Sequence, residues 1–171
     1  MPTHLSMVLM AAIVFYYVTW RKSNVEDPKT IDVDLARGMI NGIKGLDERL
    51  TGIPVPLVLA FIKTESDFRL NAVSSANCKG LMQLKDSTFT WIQTDIAPDF
   101  PWTSNNIFNP IDNIAAGMFF IDWLRKRLPE KVAYIQAYNV GYAGYKRGRR
   151  ARVYLSRILA NEMIFLYPGL N

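Results

Sequence analysis

The stretch from Pro54 to Thr88 reads PVPLVLAFIKTESDFRLNAVSSANCKGLMQLKDST. Its first part predicts a buried helix. Pro56 suits the first helical turn, where a missing N–H costs no hydrogen bond. Val58, Phe61, Ile62 and Glu65 then fall at i, i+3, i+4 and i+7, so one face carries three apolar side chains and a carboxylate. Burying an ionised carboxylate is costly, and desolvation raises its pKa. Without further context, a lone glutamate on such a face reads as a salt-bridged structural residue. Residues 66–79 are rich in Ser and Asn and predict a loop. Gly80 to Leu84 predicts a short helical turn, and Asp86 or Ser87 can cap a helix running to about Thr94.

Upstream, Ile31, Leu35, Met39, Ile43, Leu46 and Leu50 recur at helical spacing, and Thr51-Gly52-Ile53-Pro54 ends that helix. Residues 23–30, SNVEDPKT, are polar and predict a linker. Residues 5–20, LSMVLMAAIVFYYVTW, carry no charge and end on Tyr16, Tyr17 and Trp20, as an interfacial aromatic belt would. The run is slightly short of the ~20 residues of an average spanning helix but within reach of a thin bilayer. No Lys or Arg precedes it and no small-x-small site follows, so it predicts an uncleaved anchor rather than a removed signal peptide. The expected organisation is an N-terminal transmembrane anchor over 1–22, a linker over 23–30 and a folded domain over 31–171. Arg21 and Lys22 follow the span, which by the positive-inside tendency favours a cytoplasmic domain.

Downstream, residues 97–109, APDFPWTSNNIFN, predict a Pro- and aromatic-bearing loop that could border a groove. Pro110 opens a helix with Ile111, Ile114, Ala115, Met118, Ile121 and Leu124 on its apolar face. Gly117 inside that helix implies close packing or a ligand. Pro129 starts a helix to about Tyr138, Asn139-Val140-Gly141 breaks it, and a last helix is expected from Ala151 to Tyr167. No segment alternates as a strand would, so the domain reads as all-α.

The chain has 171 residues, half of them apolar and a fifth charged, with a net charge of +5 and a pI near 9.4. That suits one domain and an anionic partner: nucleic acid, phospholipid headgroups or an acidic wall polymer. Lys146, Arg147, Arg149, Arg150 and Arg152 form the densest charge cluster. It reads equally well as a solvated turn and as a contact for acidic peptides or a membrane surface. No recognition motif accompanies it, so nucleic acid is not an expected partner. Cys78 is the only cysteine and His4 the only histidine. This excludes an internal disulfide, a structural zinc site and Ser-His-Asp or Cys-His catalysis, and no cofactor or metal is expected.

Three blocks in order carry a resemblance. The first is Glu65-Ser66-x-Phe68, Asn71-Ala72-x-Ser74 and Gly80-Leu81-Met82-Gln83-Leu84. The second is Asn109-Pro110-x-x-Asn113-Ile114-x-x-Gly117. The third is Ala137-Tyr138-Asn139-x-Gly141, followed by Tyr154. Across roughly residues 50–160 the chain resembles the soluble lytic transglycosylase catalytic domain, a lysozyme-like α fold with a substrate cleft that cleaves peptidoglycan. It departs from the family at Lys85 and Asp86, where Met and Pro are frequent, and at Arg150, where a Glu is common.

The resemblance implies cleavage of the MurNAc-GlcNAc β-1,4 bond of glycan strands, with formation of 1,6-anhydro-MurNAc. Glu65 would be the catalytic residue, acid first and base second. Ser74, Met82, Gln83, Tyr138, Asn139 and Tyr154 would contact the substrate or the acid. Met82 reads equally well as core. Most glycosidases use two carboxylates, and no second acid here has a setting like that of Glu65. The single-acid family mechanism fits this absence. Rival expectations are a lysozyme-like muramidase that uses water, and a non-catalytic protein on a degenerate lysozyme scaffold. A small, anchored, basic wall-cutter acting in the periplasm or wall would suit a bacteriophage virion or lysis protein, or a bacterial envelope machine with partner proteins.

Overall fold

A computed structural model describes residues 29–169, together with Val8, Ala12 and Thr19. The expected anchor over 1–22 and most of the expected linker lie outside the described residues. Among the described residues, no helix is long and apolar enough to cross a membrane. The last two residues of the expected linker belong to the fold: the Lys29 carbonyl accepts from Leu70 N, and Thr30 bridges to Arg69.

The described domain is helical, without a strand; three isolated bridges are its β features. Helix α1 spans Val33–Leu46, shorter than the periodicity predicts. Asp32 caps it by accepting from Leu35 N at 2.7 Å, and Leu50 falls in a separate 3-10 turn, Glu48–Leu50. Helix α2 spans Val55–Ser66, with Pro56 in its first turn, as expected, and Pro54 at its N-cap. Every residue from Leu57 to Ile62 is buried, so α2 is enclosed on all sides rather than along one stripe.

Helix α3, Asp86–Trp91, runs into a π turn over Ile92–Ile96 that closes with Ala97 N donating to the Ile92 carbonyl. Asp86 is therefore the first residue of α3 and not its cap, which is Lys85. Helix α4, Pro110–Arg127, is buried from Pro110 to Phe119 and forms the second central element. Helix α5 covers Lys131–Val140, two residues beyond the expected end; Gly141, at φ 75°, then turns the chain where a side chain would be strained. The short α6, Tyr142–Lys146, precedes α7, Arg152–Leu166.

Two packing relationships position the site. Helix α7 lies along α2, with Asn161 donating to Thr64 Oγ1 at 2.9 Å and Phe68 edge-on to Phe165. Helix α5 approaches α2 through the tilted pair Phe61–Tyr138, with ring centroids 4.7 Å apart. The 97–109 loop does not border a groove. Phe100 and Trp102 pack on Phe119, and Asp112 closes the loop by accepting from the backbone and hydroxyl groups of Thr103 and Ser104.

Candidate active site

Glu65 sits in the last turn of α2, one residue before the helix ends. Asp67 and Phe68 follow in left-handed backbone at φ 52° and 61°. That conformation is unfavourable for a bulky residue. It is held by burial of Phe68 against Phe165 and by the Lys63–Asp67 ion pair. The abrupt stop leaves the Glu65 carboxyl at the floor of a cleft of about 570 Å³. Burial pushes its pKa up to about 7, and the hydrogen bond from Tyr154 acts in the opposite direction. Tyr154 donates to Oε1 at 2.5 Å, which leaves Oε2 for a ligand.

The loop after α2 forms one wall. Ser74 and Cys78 close it reciprocally: Ser74 N donates to the Cys78 carbonyl at 3.0 Å, and Cys78 N donates to Ser74 Oγ at 3.1 Å. The Ser74 hydroxyl hydrogen remains for a ligand in the cleft, which Ser74 lines. Gly80 to Gln83 form a non-helical turn closed by the Lys79–Leu84 bridge. Gln83, at φ 49°, also lines the cleft. Its Nε2 donates to the carbonyls of Ala72 and Gly80, each at 3.1 Å, so its amide oxygen is left to accept.

Asn113 on α4 staples this turn. It accepts from Met82 N at 2.7 Å and donates to the carbonyls of Ile107 and Lys79. A Cβ on Gly80, at φ 76°, would lie 2.4 Å from Asn113 Nδ2, so the staple requires glycine there.

Met82 corrects one expectation. Its side chain is fully buried and absent from the cleft wall, which removes it from direct contact with a ligand. It fills the space over Gly117, where an added Cβ would stand 2.6 Å from its Cε. The glycine in α4 thus serves packing and not a ligand. The Met82 carbonyl accepts from Tyr138 Oη at 2.9 Å.

Tyr138 and Asn139 line the other wall, as the motif implies. The Tyr138 hydroxyl is committed to Met82, so this residue offers the cleft its ring, held between Phe61 and Phe120. Tyr154 lies beneath the wall and reaches the cleft through Glu65. Phe120 and Arg149 also line the cleft, and sequence reasoning assigned neither. Phe120 was hidden among the apolar residues of α4. Arg149 was one of five basic residues with no means of ranking them. Its neighbour Arg150 is the one tied down, over the Tyr145 ring and bonded to the carbonyls of Tyr145 and Arg149.

Glu65 is the single carboxylate among the residues lining this cleft. The loop and helix-start acids Asp67, Asp86, Asp95 and Asp99 do not line it; Asp67 pairs with Lys63, Asp86 with Lys79, and Asp95 accepts from Thr94.

With this geometry in view, the comparisons are informative. Residues 47–155 match the family described as the Transglycosylase SLT domain, which is more than half of the chain, and the chain belongs to that family. No curated protein is similar enough to match the chain. Among solved structures, the lytic transglycosylase Slt of Pseudomonas aeruginosa, determined as an inactive mutant, is similar at a TM-score of 0.64 and 19% identity. The match covers 92% of this chain and 30% of that one. The 70 kDa soluble lytic transglycosylase of Escherichia coli is similar at a TM-score of 0.59 and 18% identity, over 80% of this chain and 28% of that one. The 70 kDa enzyme in complex with bulgecin A gives 0.56 and 17% over the same shares. The chain therefore has the lysozyme-like helical fold of these enzymes and spans less than a third of their length.

Proposed function

We propose that this protein is a peptidoglycan lytic transglycosylase that cleaves the MurNAc-GlcNAc β-1,4 bond and leaves a 1,6-anhydro-MurNAc end. The observation that carries the reading is a cleft with one carboxylate, Glu65, whose pKa is raised to about 7. Such a group is part protonated and part ionised at neutral pH, so it can serve in turn as general acid and general base.

Glu65 gives its proton to the glycosidic oxygen as the C1–O bond breaks. The N-acetyl group of the same sugar supports the anomeric carbon as positive charge develops there. The Glu65 carboxylate then takes the proton of the sugar's own 6-hydroxyl, whose oxygen bonds to C1. The proton count closes on Glu65 and no water is consumed. Tyr154 holds Oε1 throughout and steadies the ionised intermediate state. In this reading Ser74 donates to the acetamido oxygen, and Gln83 and Asn139 hold neighbouring sugars; all three line the cleft.

The same proposal places the domain at the cell wall, outside the inner membrane, held by residues 5–20 as a single-pass anchor. The uncharged run and its aromatic end support the anchor; the outward placement follows from the proposed substrate and runs against the positive-inside tendency of Arg21 and Lys22. Local wall opening by a virion or an envelope complex is the context that a short, basic, anchored cutter suits. Clearing of purified sacculi tests the catalytic assignment. Wild type clears them, and Glu65→Gln loses about 10²-fold or more of that activity. Equal clearing, or none by either protein, contradicts it.

A further inference from the structure

The outer face of α7 is unlike the rest of the surface. Six large apolar side chains are exposed on this helix and its C-cap: Val153, Leu159, Met163, Ile164, Leu166 and Tyr167. Elsewhere in the described residues only Val8, Val73 and Val132 are comparable. Exposed apolar side chains gathered on one helix in this way point to an interaction site. The charge on the helix is one-sided as well. Glu162, its one acidic residue, is turned inward onto Lys131, whereas Arg152 and Arg157 are exposed. The basic turn with Lys146 and Arg147 leads into it. On this helix the exposed apolar side chains are flanked by exposed arginine and by no exposed acid, a charge pattern complementary to an anionic lipid surface.

The path of the chain selects the same occupant. The Lys29 carbonyl is bonded to Leu70, two residues from Phe68, and Phe68 stacks edge-on to Phe165 near the end of α7. The polypeptide thus enters the domain beside the apolar end of α7. Only eight residues separate Lys29 from Trp20, the end of the uncharged run, which is a reach of at most about 30 Å. If residues 5–20 lie in a bilayer, the end of α7 is held close to that bilayer.

We propose that the outer face of α7 is a second membrane contact, laying the domain against an anionic lipid surface on the side where residues 5–20 leave it. This rests on the proposed anchor and is independent of the proposed reaction. The contact makes the domain lie flat along α7 rather than swing freely from its linker, which fixes the direction in which the cleft opens.

The test uses the full chain with Cys78→Ser and Met163→Cys, labelled with an environment-sensitive fluorophore and reconstituted into vesicles of phosphatidylcholine with or without phosphatidylglycerol. Asn105→Cys, in the exposed aromatic loop, is the control site, and Leu159→Cys serves if the label at 163 impairs folding. The expected result is a blue-shifted, brighter emission at 163 that is quenched by nitroxide-bearing lipid, is stronger with phosphatidylglycerol, and is absent at 105. A chain that does not float with the vesicles overturns the anchor and this contact with it. A label at 163 that stays aqueous while the chain floats with the vesicles overturns the proposal. So does a label shielded from aqueous iodide but not quenched by lipid nitroxide, which would mean that protein covers the face. A signal that grows only with the protein-to-lipid ratio points to a second copy and overturns it too.

Discussion

Tyr154, in the first turn of α7, donates its hydroxyl hydrogen to Oε1 of Glu65, in the last turn of α2, across 2.5 Å. The two residues are 89 positions apart in the chain. Their contact joins the helix that buries the acid to the helix that adjusts its charge.

Tyr154→Phe removes the donor while keeping the ring that packs near Phe61. The bond favours the ionised carboxylate, so its loss raises the pKa of Glu65 above about 7. A hydrogen bond to a charged group contributes about 1.5 kcal/mol or more, equivalent to about one pH unit. In the pH profile of kcat/KM the wild-type rate falls as pH rises past about 7, where the acid form is lost. In Tyr154→Phe this limb moves to higher pH and the maximum is lower, because the base step is weakened.

The raised pKa also has a sign in stability. An unfolded glutamate ionises near 4.3, whereas folded Glu65 holds its proton to about 7. Between these values the folded state binds more protons, so stability falls as pH rises through this window and levels off above it. The whole effect is at most about 4 kcal/mol. Glu65→Gln has no such titration. Its Tm should exceed that of wild type at pH 8 and converge with it towards pH 4, a gain in stability at the expense of activity.

The wall that carries Ser74 and Gln83 depends on buried packing outside the cleft. Gly117→Ala drives a Cβ into Met82, whose own Cβ would stand 2.8 Å away and cannot swing aside. Overpacking of this kind costs about 1–3 kcal/mol, partly offset by about 1 kcal/mol of helix propensity. Asn113→Ala abandons three hydrogen bonds, two to the turn through Met82 N and the Lys79 carbonyl and one to the Ile107 carbonyl, and costs about 3 kcal/mol. Urea midpoints measure both. Activity should fall further than the loss of folded protein, since the Met82 carbonyl also holds Tyr138.

Much of this was legible in the chain. The prolines at 56 and 110 mark helix starts because a missing N–H is harmless there, and Asn109 accepts from Ile111 N and Asp112 N as a cap should. Glu65 stood out because a carboxylate on a greasy face is expensive. Contacts that depend on tertiary placement were not legible. Met82 and Tyr138 occur in motifs with cleft-lining neighbours, yet one is core and the other has its hydroxyl engaged. Arg149 and Arg150 are adjacent and chemically identical, yet the fold lines the cleft with one and lays the other over Tyr145. The aromatic loop at 97–109 looked like a groove margin because its residues are large, but large apolar rings are equally suited to packing on α4.

The most direct test of the central claim, that one carboxylate carries out both halves of the reaction, is the mass of the muropeptides released from purified sacculi. A single-acid cycle closing on the sugar's own 6-hydroxyl predicts products one water lighter than reducing-end muropeptides. Products carrying only hydrated reducing ends would contradict it and require a water nucleophile in the cleft.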